Sequence, residues 1–327
     1  TVADGKIIVS GVSSSKGLRV VVADGTEAEI TARPPVSGEW TTTAGNAVFA
    51  SKYPLNPGTK YRVLGAGDGL EVRVPRPQGG KPTAVTHIYP TAAELPENVL
   101  RFYIEFNRPM PRGEVYKHVR IENEKGQRIE LPFLEIDDEL WNPDQTRITL
   151  LIDPGRIKHE VKPRIDLGPV FVRGRKYTLV VSGQWPTLDG DPLGDDVRKS
   201  ITVGPPVAEA LDPKDWKISP PTGDRGTFRV SFGRPVDHPV MTRSLSVLGP
   251  DGKPVAGTAE SADEDRAWTF TPTSRWAAGT HTLHADPVLE DVCGNRVGQP
   301  FEVDLLRGPR KDVKPAPVDI RFDTGQR

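Results

Sequence analysis

The side chains with the most chemical potential in this 327-residue chain are carboxylates gathered in two runs. Glu135-Ile136-Asp137-Asp138-Glu139 stands just ahead of Trp141. Asp189-Gly190-Asp191-Pro192-Leu193-Gly194-Asp195-Asp196 places four carboxylates in eight positions. Hard cations such as Ca2+ take several oxygen ligands, and a Trp beside carboxylates suits a sugar ring. Asp137, Asp138, Asp189 and Asp191 are therefore candidate metal ligands, and Trp141 is a candidate ligand contact. Neither run has the EF-hand spacing. A solvated interstrand loop is the competing reading of the first run, and a structural turn that of the second.

Other chemistry is sparse. His281 and His284 stand three apart on an expected strand, so they point to opposite faces and cannot chelate one metal together. His159-Glu160 lacks the second His of a zincin helix. The chain carries no P-loop, dinucleotide fingerprint or Gly-x-Ser-x-Gly elbow. Its single Cys293 excludes an intrachain disulfide and reads as a small packed hydrophobe. No cofactor is expected beyond the Ca2+ that the carboxylates could hold, and no catalytic residue is assigned. The expectation is a non-enzymatic protein.

The elements that would position these residues are strands. Gly and Pro together make up about a fifth of the chain, and short β-branched or aromatic runs alternate with turn residues. Lys and Arg (43) balance Asp and Glu (44), which gives no electrostatic case for nucleic acid. No window approaches the roughly 20 apolar residues of a membrane helix. Length and turn spacing predict an all-β chain of tandem sandwiches over residues 1–80, 83–205 and 207–305, followed by a polar tail, 306–327, that could add one strand at Val318–Phe322. Proline-rich linkers at 75–82 and 204–206 separate the domains. Within them, Glu27–Ile30, Val115–Ile121 and Ile129–Leu134 read as strands, and Phe301–Leu305 as the closing strand of the third domain.

An internal repeat supports the last two domains. Phe106-Asn107-Arg108-Pro109 matches Phe232-Gly233-Arg234-Pro235, and Gly174-Arg175-Lys176-Tyr177-Thr178-Leu179 matches Gly279-Thr280-His281-Thr282-Leu283. Gly190-Asp191-Pro192-Leu193 matches Gly294-Asn295-Arg296-Val297. The Pro ends each paired strand because it cannot donate to a ladder. Recurrence of Arg108 and Arg234 at matched places suggests a shared salt bridge.

A Phe-x-x-Pro strand end, a Gly-led Tyr-Thr-Leu strand and an Asp-x-x-Gly-Asn turn, here Asp291-Val292-Cys293-Gly294-Asn295, resemble the SbsA-type bacterial Ig-like domain. The resemblance is clearest in the third domain. It is weaker in the second, where Thr187 replaces the Asp, and the first joins only by pattern. It implies Ig-like sandwiches in a bacterial cell-surface or secreted protein, extracytoplasmic, acting in adhesion, as a scaffold or in protein interaction. The alternative is a carbohydrate- or calcium-binding accessory module of an extracellular enzyme system. The expected partner is a protein or a polysaccharide at the cell envelope.

One segment does not repeat. Between Pro154 and Thr178 lie 23 residues, against 9 between their counterparts Pro272 and Thr282. The insertion near 157–170 carries Lys158, His159, Lys162 and Arg164, a basic set suited to an acidic partner. An interdomain brace is the equal alternative. Charge reversal at Lys158, Lys162 and Arg164 should abolish capture of an acidic partner in a surface-binding assay. Undiminished capture would assign the insertion to bracing.

Overall fold

The computed structural model describes the chain apart from Asp4, Ser13, Ala44, Pro57, Asp68, residues 75–80, Asp137, residues 158–167, 302–315 and 325–327. Two compact units emerge. The first comprises residues 1–84 with 108–112 and 182–195; the second comprises 85–107, 113–181 and 196–327.

Residues 1–73 form a sandwich of seven strands: β1 (Val2–Ala3), β2 (Lys6–Ser10), β3 (Arg19–Val22), β4 (Gly38–Thr43), β5 (Asn46–Ser51), β6 (Lys60–Leu64) and β7 (Leu70–Arg73). One sheet has the order β1-β2-β5-β4 and the other β3-β6-β7. That is the four-plus-three order of a constant-type Ig domain. Alternation does the packing: Ile7, Val9, Phe49, Val20, Tyr61 and Val63 turn inward from both sheets into one core.

The same plan recurs twice in the second unit. One sandwich contains β8 (Val85–Tyr89), β9 (Glu94–Pro96), β10 (Arg101–Phe106), β11 (Val119–Asn123), β12 (Leu140–Trp141), β13 (Arg147–Leu151), β14 (Lys176–Val181) and β15 (Val197–Gly204). Its sheets run β12-β13-β10-β8 and β11-β14-β15-β9, with β9 parallel to β15. The other contains β16 (Lys217–Ser219), β17 (Phe228–Ser231), β18 (Leu245–Leu248), β19 (Gly257–Ala262), β20 (Ala267–Pro272), β21 (Thr280–Ala285) and β22 (Val318–Asp323), ordered β16-β17-β20-β19 and β18-β21-β22. All three sandwiches are therefore Ig-like, including the first, which lacks the repeat motifs.

Several expected elements differ. Glu27–Ala32 is a helix (α1), not a strand. Thr26 and Glu29 form a reciprocal capping box, which satisfies two amide N–H groups of the first turn. Val115–His118 is likewise a helical turn (α2), and the strand begins only at Val119. Its start is held by Glu139, which accepts from the Gly113 and Val115 amides at 2.8 and 2.9 Å. Ile129–Leu134 is not a ladder strand: within it Phe133 bridges Ile152, and Arg128 just ahead of it bridges Glu122. Pro154–Ile157 (α3) and His238–Ser244 (α4) complete the longer helical turns.

The strand expected at Val318–Phe322 is present and closes the third sandwich. Of the strand expected at Phe301–Leu305, residues 302–305 fall outside the described residues, and Phe301 is exposed. The seventh place is taken by β22, from the stretch read as a tail. It pairs antiparallel with β21 and sends Phe322 into the core. The Phe322 ring stacks on Phe228 at 4.1 Å and meets Trp276 edge-on at 5.9 Å. Phe322→Ala should destabilise the second unit by about 3–5 kcal/mol, read from the urea midpoint of the full chain. An unchanged midpoint would remove β22 from the core.

Candidate functional site

The densest buried chemistry lies where the second and third sandwiches meet within the second unit. It begins with a break in alternation. On β10, Phe102 and Ile104 point into their own core, so Tyr103 belongs to the outer face. Yet Tyr103 is only 6% exposed, because the third sandwich covers it.

Tyr103 donates its hydroxyl to Asp237 Oδ2 at 2.7 Å. Asp237 is also the N-cap of α4, accepting from the Val240 amide at 3.1 Å. Arg101, at the start of β10, donates through Nη2 to Glu290 Oε1 at 2.7 Å and holds Nε 3.7 Å from Asp237 Oδ2. Glu290 meets Arg296 on its other oxygen at 3.3 Å. Burial raises the Asp237 carboxyl above the ordinary aspartate value, despite the opposing pull of Arg101 and Tyr103. Burial, then the Asp237 charge, drives the Tyr103 phenol well above its usual range.

A second cluster centres on Asp265, which ends the turn between β19 and β20. Asp263, Glu264 and Asp265 all have positive φ (51°, 56° and 64°), a conformation costly for residues other than glycine. Its buried carboxylate accepts from Thr91 N at 2.9 Å, Thr91 Oγ1 at 2.6 Å and Ser261 Oγ at 2.7 Å. The same carboxylate lies 2.8 Å from His238 Nδ1. The His238 ring stacks on Tyr89 with centroids 3.8 Å apart. Lys199 donates to the Thr91 and Ala92 carbonyls at 2.9 and 3.1 Å.

A third cluster uses the Asp-x-x-Gly-Asn turn. Asp291 Oδ1 accepts from the Cys293 and Asn295 amides, both at 2.9 Å. The shaped turn then meets the second sandwich: Leu100 N donates to Val292 O at 3.0 Å, and Cys293 Sγ to Asn98 Oδ1 at 3.2 Å. Gly294 has φ 79°, a left-handed conformation that favours glycine, and a Cβ there would lie 2.4 Å from Leu100 Cδ1 and push that methyl aside. Asn98 also exchanges two hydrogen bonds with Val207 just after the linker, at 2.8 and 2.9 Å. Cys293 is buried, as a packed residue should be, and burial lifts its thiol well above the usual value.

Of the candidate site residues singled out from sequence, Trp141, Asp138, Asp189 and Asp191 are described. Lys158, His159, Lys162, Arg164 and Asp137 lie outside the described residues. At the base of the insertion, Arg156 is buried and donates to the carbonyls of Gly168, Glu130 and Leu131. Trp141 is half-buried on β12; its ring packs 6.0 Å from Phe106, and its Nε1 donates to Glu139 at 2.7 Å. Trp185, Trp216 and Trp276 are core residues. Asp138 is exposed. Asp189 pairs with Arg108 at 2.7 Å, and Arg234 pairs with Asp291 at 3.4 Å, so both repeat arginines hold the acid of the matched turn. The Asp191 carbonyl closes that turn by accepting from Thr187 N at 2.8 Å. Among the described residues, no group of three or more His, Cys, Asp or Glu is arranged to hold a metal.

The joint residues left one signal in the sequence. Arg101 and Tyr103 align with Thr227 and Arg229 in the repeat, so they depart from the shared plan exactly where a role outside it resides.

The class that fold and joint define is an all-β protein of tandem Ig-like sandwiches. No family model matches the chain, and no curated protein matches it. The SbsA-type likeness therefore rests on its motifs alone. Among solved structures, the chain is similar to a native alpha-2-macroglobulin fragment from Escherichia coli spanning domains MG0-NIE-MG1 (9% identity, TM-score 0.25, 63% of this chain and 66% of that one). It is also similar to surface layer protein SbsC, domains 1–6 (12% identity, TM-score 0.24, 63% of this chain and 24% of that one). A third is a structure with xylogluco-oligosaccharide (14% identity, TM-score 0.23, 91% of this chain and 56% of that one). The chain thus spans under two thirds of the length of each. At these values the fold reading rests on the strand order itself.

Asp265 gives a measurable handle on the joint. Burial alone would raise its carboxyl, but hydrogen bonds from His238, Thr91 and Ser261 outweigh burial and hold it below the ordinary 3.8. A depressed folded pKa contributes stability that is fully present above the unfolded value and lost as pH falls through the folded one. Asp265→Ala should therefore cost on the order of 3 kcal/mol at neutral pH and flatten the acid limb of the stability curve below about pH 4. Urea melts from neutral to strongly acidic pH would show both effects, and an unaltered acid limb would contradict the assignment.

Proposed function

We propose that the chain is a non-enzymatic scaffold and protein-interaction module of the cell envelope or of a secreted assembly. The observation that carries this reading is the joint. Neighbouring domains in one chain move relative to one another by default. Here Arg101, Tyr103, Asn98 and Thr91 of the second sandwich each meet a specific partner in or beside the third. Paired sandwiches held in one orientation suit a protein whose task is to set the position of what it carries. The extracytoplasmic setting is supported by the Ig-like strand plan and by the motif resemblance. No helix among the described residues is long and apolar enough to cross a membrane.

Thermal melts with and without Ca2+, together with a glycan-array screen of the full chain, test this reading against the accessory-module alternative. The expected result is an unchanged melting temperature and no glycan bound. A calcium-dependent rise of several degrees, or a specific glycan, would replace the scaffold reading with a carbohydrate- or calcium-binding one.

A further inference from the structure

We propose that the second sandwich takes an acidic peptide segment, one carrying an apolar side chain, in a groove between the β11 hairpin turn and the loop that enters β14. This rests on the protein-interaction reading above and names the chemistry of the partner. The groove encloses about 310 Å3. Its apolar lining is Ile129, Val172 and the Tyr177 ring. Val172 is 43% exposed, although its amide is fixed by donation to the Tyr177 hydroxyl at 3.1 Å. An exposed valine on a backbone already held in place offers a preformed apolar contact.

The charged lining decides the partner's sign. Lys125, Arg175 and Lys176 face one acid, Glu124. That acid is already engaged: Oε1 accepts from the Lys176 amide at 2.9 Å, and Oε2 lies 3.6 Å from Arg175 Nη1. The Lys125 and Lys176 ammonium groups make no ion pair among the described residues. The Lys125 and Lys176 ammonium groups and a weakly held guanidinium around an apolar floor complement carboxylates flanking a Leu- or Val-like side chain. A sulfated polysaccharide would match the charge but leave the floor uncovered, so the peptide is the better fit.

The probe is a fluorescein-labelled Glu-Leu-Glu-Leu-Glu peptide, read by fluorescence anisotropy on the full chain. The expected result is saturable binding in the micromolar to millimolar range that weakens with added salt. Lys125→Glu with Lys176→Glu should weaken it at least tenfold, and Val172→Asp separately, while melting temperatures stay unchanged. No saturable binding, equal binding of a Lys-Leu-Lys-Leu-Lys peptide, or binding insensitive to these variants would overturn the proposal. So would a heparin-type polysaccharide that binds through the same residues when the peptide does not. Failure of the peptide leaves the calcium and glycan results untouched and overturns the groove alone, whereas heparin-type binding would also register on the glycan array and overturn both, so the two failures are distinguishable.

Discussion

Burial of charge at the joint is the constraint on which the arrangement of the second unit depends. Asp237, Glu290 and Asp265 are each 5% exposed or less. A buried carboxylate without a partner costs several kcal/mol. Each has a partner within the third sandwich (the Val240 amide, Arg296, and His238 with Ser261) and gains a further one from the second, namely Tyr103, Arg101 and Thr91 respectively. A buried ion pair adds little net affinity, because desolvation offsets most of the Coulomb term. It does disfavour other orientations, since a shifted dock would lose the Tyr103, Arg101 or Thr91 contact while the carboxylate stayed partly desolvated. Geometry rather than adhesion is what these residues supply. Apolar and backbone contacts, such as Leu100 against the Gly294 turn, supply the closeness.

The strained turn at Asp263–Asp265 fits the same logic. Three consecutive left-handed residues cost roughly 1–2 kcal/mol each. Such a turn persists only where its surroundings over-determine it. Asp265 collects hydrogen bonds from Ser261 within its own hairpin and from Thr91 in the neighbouring sandwich, so turn conformation and domain docking support one another. The repeat adds a second, more general device. In each of two matched places, the arginine of the Phe-x-Arg-Pro strand end reaches an acid in the Gly-containing turn, although in one copy the acid stands at Asp189 and in the other at Asp291. The pairing is retained while the position of the acid shifts by two residues within the turn.

Legibility in sequence followed burial. Strands with one buried face, such as Lys6–Ser10 and Arg147–Leu151, show period-2 alternation and are readable as strands. The edge strands β4 and β19 are exposed on both faces along most of their length and carry Gly, Thr, Ser and Ala without alternation, so nothing local marks them. The helical turns are too short to establish a 3.6-residue period. Only their caps announce them, as in Thr26-x-x-Glu29 and Asp237 ahead of His238-Pro239. Trp185, Trp216 and Trp276 are buried, and nothing local distinguishes a core Trp from an exposed one in sequence.

What the sequence determined by itself is the class: an all-β chain of tandem Ig-like units, with Phe-x-Arg-Pro strand ends and Gly-Asn turns as building devices. Those features are local, since alternation, turn chemistry and a missing proline N–H act within a few residues. The joint was decided by tertiary structure alone. Tyr103 meets Asp237 across 134 residues, and Arg101 meets Glu290 across 189. A carboxylate's role depends on who removes its water and who replaces it. No run of neighbouring residues records that, which is why Asp237, Asp265 and Glu290 form the buried site while the longer acidic runs at 135–139 and 189–196 do not.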